Sequence, residues 1–168
     1  SYAMNASYDK AILNYRLAGQ LNENDPWTLV SSALGLAYCG EPEEAASLSA
    51  QALTVGLSSS PLHLAYRAGV LFICGDYEAC IEAASLSKDT IGYVSAWKSA
   101  ALAHLKRDNE ARSEAQKFLQ ITRKNWRGSS NPSDAEIARW LLHCFPIRDQ
   151  KVWNRLRDGL LLAGVPVE

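Results

Sequence analysis

Residues 25–53 read DPWTLVSSALGLAYCGEPEEAASLSAQAL, and residues 60–88 read SPLHLAYRAGVLFICGDYEACIEAASLSK. The two stretches align at an offset of 35 residues, which matches Pro26 with Pro61, Gly40 with Gly75 and Ala45 with Cys80. In each, a proline precedes apolar residues at helical spacing, a glycine interrupts them, and a second helical pattern follows. A repeat of this length that holds two helices predicts stacked helix pairs, because a single pair cannot bury its apolar face alone.

The rest of the chain also has helical patterns. Residues 8–21 predict one helix ahead of the first pair, which we interpret as the second half of a helix pair. Residues 91–106 and 109–123 predict a third pair, in which Lys106 replaces the glycine. The segment WRGSSNPS at residues 126–133 predicts a loop, and Ser133 followed by Glu136 predicts a capping box that starts the next helix. Two helices are then expected over about residues 134–144 and 149–163.

The sequence therefore predicts an all-α solenoid. Its parts are a half repeat over residues 8–25, full repeats over 26–60, 61–90 and 91–123, and a helical cap over 124–168. We expect a cap because the last pair of a stack otherwise exposes its apolar face to water. Residues 1–7, SYAMNAS, resemble a cloning remnant and are expected to be disordered.

Composition limits the classes of partner. Hydrophobic residues make up 48% of the chain, charged residues 21%, and the net charge is -1, which is typical of a soluble globular protein. No apolar run is long enough to predict a membrane span. Near-neutral charge argues against binding to nucleic acid, which needs clustered Lys and Arg. The absence of a signal peptide, together with cysteines at packing positions, favours the cytoplasm.

The helix pairs resemble the tetratricopeptide repeat. CGDYEACIEAASLS at residues 74–87 is especially similar to its central turn and second helix. The resemblance implies a right-handed superhelix in which the first helix of each pair lines a concave groove. The closing stretch FPIRDQKVWNRLRDGLLLAGVP, residues 145–166, is similar to the end of tetratricopeptide regions attached to bacterial class III adenylate cyclases and winged-helix transcriptional regulators. That similarity implies an interaction segment of a larger bacterial signalling protein.

The resemblance also implies which residues line the groove. The candidate peptide-binding residues are Trp27, Val30, Leu34, Tyr38, Tyr66, Ile73, Tyr93 and Trp97. This lining is apolar and almost uncharged, so the expected partner is an apolar peptide or helix rather than an acidic chain terminus. The alternative is that the groove is core, closed by the terminal helices or by a second copy of the chain, because aromatic residues at helical spacing are more often buried. An RNA-binding pentatricopeptide stack would need a basic inner face, which these residues do not provide.

No catalytic or metal site is predicted. The four cysteines include no Cys-x-x-Cys pair, and the three histidines lie about forty residues apart. No Ser or Cys nucleophile is flanked by the glycines of a sharp turn. We therefore expect no enzyme activity and no cofactor in this segment, and we expect a protein or peptide partner, including a further domain of the same protein or a second copy.

Overall fold

The computed structural model describes residues 3–56, 60–128 and 131–167. Within these ranges the chain forms nine helices and no strand, which confirms the all-α prediction. In chain order the helices are α1 (Tyr8–Leu21), α2 (Pro26–Tyr38), α3 (Pro42–Thr54), α4 (Pro61–Cys74), α5 (Tyr77–Leu86), α6 (Val94–His104), α7 (Asp108–Lys124), α8 (Asp134–Cys144) and α9 (Gln150–Leu162). Positions 129 and 130 of the predicted loop lie outside the described residues. Among the helices that are described, none is both long and apolar enough to cross a membrane.

Local sequence signals start several of these helices. The Asp25 side chain accepts a hydrogen bond of 2.9 Å from the Thr28 N–H at the start of α2, which satisfies one of the free N–H groups of the first turn. Pro26 occupies that turn, where its missing N–H costs nothing. The predicted capping box at the start of α8 is present, with both of its hydrogen bonds between Ser133 and Glu136.

The same turn joins the two helices of each pair. Its central residue has a left-handed backbone, with φ of 90° at Gly40, 84° at Gly75 and 60° at Lys106. In each turn the N–H after this residue donates to the carbonyl five positions earlier, at 3.0 Å: Glu41 to Leu36, Asp76 to Leu71 and Arg107 to Leu102. Lys106 therefore adopts the same left-handed geometry as the two glycines, although only glycine does so without strain. The third pair thus has the same turn as the first two.

Small side chains let the helices of a pair cross closely. Ala45, Cys80 and Ala111 occupy equivalent positions after the three turns, and all three are completely buried. In the third pair the Ser99 hydroxyl donates to the Ala111 carbonyl at 3.0 Å, which joins α6 directly to α7. A larger residue at any of these positions would force the two helices apart.

The pairs pack in series. Helices α2, α4 and α6 are the first helices of the three pairs, and α4 contacts both of the others. Helix α3 also contacts α4, and α5 contacts α6, so each pair covers the next one. Helix α1 packs on α2, where the Tyr15 ring lies over Gly35 so closely that a Cβ there would be 2.3 Å from the ring.

The last two helices do not simply extend this series. Helix α9 packs chiefly on α6, and α8 contacts α7 and α9. We call residues 145–165 the C-terminal arm. Its Val152 belongs to the same buried cluster as Leu34 of α2 and Ile73 of α4, so the arm crosses all three first helices. The expected terminal cap is thus also a segment that lies along the face predicted to form a groove.

Only part of residues 1–7, the segment predicted to be disordered, is described by the structure. Positions 1 and 2 lie outside the described residues. Ala3 is buried in the cluster that contains Ile12 and Leu36, and the Ala6 N–H donates to the Ala3 carbonyl at 3.0 Å. Ala3 therefore packs against the helices, whereas Met4, Asn5 and Ala6 are exposed. Burial of the apolar Ala3 side chain removes its surface from water, which is favourable.

Candidate functional site

Four of the eight candidate groove residues are buried in the core: Val30, Leu34, Ile73 and Trp97. Val30 lies with Leu29 and Ala52 in a buried cluster between α2 and α3. Ile73 is covered by the arm, and Trp97 is only 1% exposed. A helix in such a stack has one apolar side that packs on its pair partner and another that packs on neighbouring pairs. For α2, the family resemblance did not show which side Val30 belongs to.

Phe145 of the arm occupies the middle of the predicted groove. Its ring centroid lies 4.7 Å from that of Trp97, 5.3 Å from that of Tyr93 and 5.8 Å from that of Tyr38. Aromatic pairs prefer tilted, edge-to-face and offset arrangements at such separations. Three of the candidate residues therefore already bind an aromatic ring, and that ring belongs to the same chain.

Polar contacts hold the arm at the ends of α2 and α4. The Arg148 N–H donates to the Tyr38 carbonyl at 2.8 Å, and the Arg155 guanidinium donates to the Ile73 carbonyl at 2.7 Å. The Arg155 carbonyl in turn lies 2.7 Å from Nε2 of His104 and accepts its proton. Carbonyls in the last turn of a helix have no partner within the helix and attract positive charge, so the arm satisfies groups that would otherwise need water.

Beside Phe145 an open part of the groove remains, which we call the tyrosine cleft. Its volume is about 300 Å³. Its lining residues come from both ends of the chain and from the first helices: Met4, Tyr15, Leu34, Tyr38, Tyr66, Tyr93, Trp140, Leu141, Cys144, Phe145 and Pro146. None of these side chains carries a charge at neutral pH. The cleft is therefore an apolar site whose polar groups are mainly phenolic hydroxyls.

The tyrosine hydroxyls influence one another. Burial raises the pKa of Tyr38 well above its usual range, and the neighbouring Tyr93, Tyr66 and Tyr15 hydroxyls raise it further. Burial also raises the pKa of Tyr93 to about 12, again with a contribution from Tyr66. The Tyr38 and Tyr93 phenols therefore stay protonated at any physiological pH, and each can both donate and accept a hydrogen bond.

Trp27 marks the edge of the cleft next to Tyr66. Its indole is 38% exposed, lies 4.9 Å from the Tyr66 ring in an edge-to-face arrangement, and stacks on His63 at 5.4 Å. These rings form an exposed aromatic border at the first turns of α2 and α4. Of the eight candidates, Trp27 is exposed, Tyr38, Tyr66 and Tyr93 are half-buried, and Leu34 is a buried residue of the cleft lining.

A larger cavity, of about 470 Å³, lies on the opposite side of Tyr93 and Trp140. Ile121 and Trp126 line it, and it extends to Gly128, beside positions 129 and 130 outside the described residues. Apart from Tyr93 it contains none of the candidate residues, so we place the candidate site in the tyrosine cleft.

The four cysteine thiols are poor nucleophiles. Burial raises the pKa of the Cys39, Cys74 and Cys144 thiols, and that of Cys80 to about 12, which suppresses the thiolate that would act as a nucleophile. The described residues include no group of three or more His, Cys, Asp or Glu that could hold a metal ion. What the site provides is shape and hydrogen-bonding groups.

Sequence reasoning missed Phe145, Tyr15 and Trp140 as site residues. Tyr15 lies on the apolar stripe of α1 and Trp140 on that of α8, so helical periodicity marks both as inward-facing, but it does not say which helix they face. Phe145 ends α8 and precedes Pro146, a position that favours extended backbone. A large aromatic residue in such a short connection was the available signal that the connection is buried.

No protein-family model matches this chain, and neither a curated protein nor a solved structure does.

Proposed function

We propose that this chain is a right-handed tetratricopeptide-like solenoid that serves as a protein-binding, regulatory module of a larger bacterial signalling or transcription protein. The observation that supports the proposal best is the tyrosine cleft, an uncharged opening of about 300 Å³ beside a groove that already binds one aromatic ring. An apolar peptide or helix of the partner lies along the groove and places a side chain in this cleft. Recognition then depends on burial of apolar surface, with no chemical step.

The cleft is preformed, which favours binding. Leu34 belongs to α2 and Phe145 to the arm, and the Tyr66 ring packs against Trp27. Binding therefore costs the conformational entropy of the partner segment but little conformational entropy of the receptor. The exposed border at Trp27 extends the apolar surface beyond the cleft, so that a segment longer than a single anchor residue has somewhere to lie.

A display library of uncharged and charged peptides tests this function. We expect the purified protein to select apolar, uncharged sequences. We expect Tyr66→Ala to raise the dissociation constants of these peptides at least about tenfold, as loss of an aromatic anchor contact does. Leu17→Ala is the matched control, because Leu17 is exposed on α1 and lies outside the cleft. Equal affinity of the two variants and the wild type, with folding intact, would contradict the proposal.

A second candidate function is structural: docking on another domain, or dimerisation. Two observations favour it. The arm fills much of the groove, and α1 exposes Leu13, Leu17 and Leu21, four residues apart on one face, at 67%, 49% and 74%. Sedimentation over a wide concentration range tests dimerisation, and Leu17→Glu should abolish any dimer that uses this face. A monomer at all concentrations would remove the dimer from consideration.

A further inference from the structure

The uncharged lining of the tyrosine cleft restricts what can enter it. A charged group would lose its hydration there without finding an opposite charge, which costs several kcal/mol in an apolar site. The cleft therefore favours a neutral ligand. This inference rests on the function proposed above, since it specifies the partner group that the cleft holds.

The size of the cleft narrows the choice further. Pockets that enclose whole drug-sized ligands range from about 300 to 1,000 Å³, so a cleft of about 300 Å³ is at the small end of that range. It is too small for a helix and suits one large side chain. The rest of a partner segment would lie outside, along Trp27 and Tyr66.

The neighbouring ring shows how the groove accepts such a side chain. Phe145 is held by three aromatic residues at centroid distances between 4.7 and 5.8 Å, with interplanar angles from 26° to 79°. The groove thus accommodates an aromatic ring by tilted and edge-to-face contacts. Tyr38 and Tyr93 contact Phe145 and also line the cleft, so a second ring can pack beside the first in the same manner.

The hydroxyl groups distinguish among aromatic rings. Within the described residues, the hydroxyls of Tyr15, Tyr38, Tyr66 and Tyr93 are not among the buried polar atoms that lack a partner, so any of them without a protein partner is open to water or to a ligand. A ring that carries an O–H or N–H can satisfy one or more of them, whereas a purely hydrocarbon ring displaces water and leaves them unpaired. All four tyrosines line the same cleft of about 300 Å³, which places their side chains around the space that one ligand would occupy.

We propose that the tyrosine cleft binds one neutral aromatic side chain that carries a hydrogen-bonding group, that is, Trp or Tyr, within an uncharged segment of the partner protein. The ring packs against Phe145 and Leu34, and its polar atom hydrogen-bonds with the hydroxyls of Tyr66 and Tyr93. Phenylalanine fits the same space with lower affinity because it lacks the polar atom.

Titrations with N-acetylated amides of Trp, Tyr, Phe and Leu, followed by ¹H–¹⁵N NMR on the full chain, test this inference. We expect shifts at residues around the cleft and affinities for the Trp and Tyr amides that exceed that of the Phe amide about fivefold, the effect of one hydrogen bond. The double variant Tyr66→Phe/Tyr93→Phe retains both rings and should abolish this difference while preserving binding of the Phe amide. Equal affinity for all four amides, or shifts confined to other surfaces, would overturn the inference.

Selected peptides separate this inference from the proposed function. If the peptides bind in the cleft but carry no Trp or Tyr anchor, the inference is wrong and the proposed function stands. If the Trp and Tyr amides bind but no peptide containing these residues does, the ligand of the cleft is a small molecule, and the inference that it is a segment of a partner protein is wrong. Support requires that the same Tyr66→Phe/Tyr93→Phe variant weakens both an anchored peptide and its free amide.

Discussion

Gly159 of α9 lies directly against Ala100 of α6: a Cβ at position 159 would be 2.8 Å from the Ala100 Cβ and 2.9 Å from its Cα and carbonyl oxygen. Two of these three atoms belong to the α6 backbone and cannot move aside as a side chain can. The close approach of the arm to the first helix of the third pair therefore depends on the absence of a side chain at this position.

Gly159→Ala should separate α9 from α6. Alanine favours the helix by up to about 1 kcal/mol, but overpacking against a backbone typically costs about 1–3 kcal/mol, so we expect a net loss of stability. Urea denaturation measures it. Gly19→Ala in α1 is the matched control, because its Cβ would meet only the Leu48 side chain at 3.5 Å, and there we expect a small gain. A gain at both positions would contradict the packing described.

Lys106→Gly should stabilise the third pair. Lys106 has φ of 60°, like the glycines of the other two pairs, and a non-glycine residue in this left-handed conformation costs about 1–2 kcal/mol. Glycine also increases the entropy of the unfolded chain, which offsets part of the gain, so we expect about 0.5–1 kcal/mol in chemical denaturation. Gly40→Ala tests the reverse change in the first pair, where we expect a loss. If Lys106→Gly destabilises the protein, Lys106 has a contact that outweighs the strain.

The helices and their pairing could be predicted from the sequence because the signals are local. Proline at Pro26 and Pro61, glycine at Gly40 and Gly75, and apolar periodicity each act within a few residues of the element that they define. Even Lys106 was identified as the equivalent of the glycines by its position in the repeat. The helix ends differ from the predictions by small amounts, as is usual where the last turn frays.

The position of the arm could not be predicted, because it depends on contacts between residues distant in sequence. Phe145 meets Tyr38 more than a hundred positions away, and nothing in either local sequence specifies the other. Gly159 was an available clue, since glycine inside a helical pattern often has a packing reason. A glycine at this position indicates that another helix packs closely against α9, but it does not indicate which helix. The tyrosine cleft was missed for the same reason, since α8 and the arm form one of its walls.

Stability should fall as the pH rises above about 9. Burial raises the pKa of Cys80 from 9.0 to about 12 and that of Tyr93 from 10.0 to about 12, so the unfolded chain loses these protons at a lower pH than the folded one. Each group then lowers the free energy of unfolding by about 1.4 kcal/mol per pH unit between its two pKa values. Urea denaturation between pH 8 and 11 measures the slope. Cys80→Ala should reduce the slope, and an unchanged slope would show that the Cys80 thiol ionises normally in the folded protein.

Phe145→Ala should loosen the arm and enlarge the cleft. The substitution removes a half-buried ring from between Tyr38, Tyr93 and Trp97, and we expect a loss of about 2–3 kcal/mol, below the range for a fully buried phenylalanine. Faster cleavage of the arm by a protease at low concentration would accompany it, because the arm would open more often. Leu162→Ala, on the exposed side of α9, should change neither property. Equal protease resistance of the two variants would mean that the ring does not hold the arm.

Truncation at Asn131, which removes α8 and the arm, should expose the inner face of the stack. Trp97 would lose the Phe145 ring, and the Ile73 carbonyl and His104 imidazole would lose their contacts with Arg155. An apolar surface of this kind promotes association, so we expect aggregation or strong binding of an apolar fluorescent dye. Truncation after Val165 is the control, since it retains the whole arm, including the buried Val165 and the α9 contacts with α6. If the chain that ends at Asn131 is a soluble, compact monomer, the first helices do not depend on the arm, and the groove is open to a partner along its whole length.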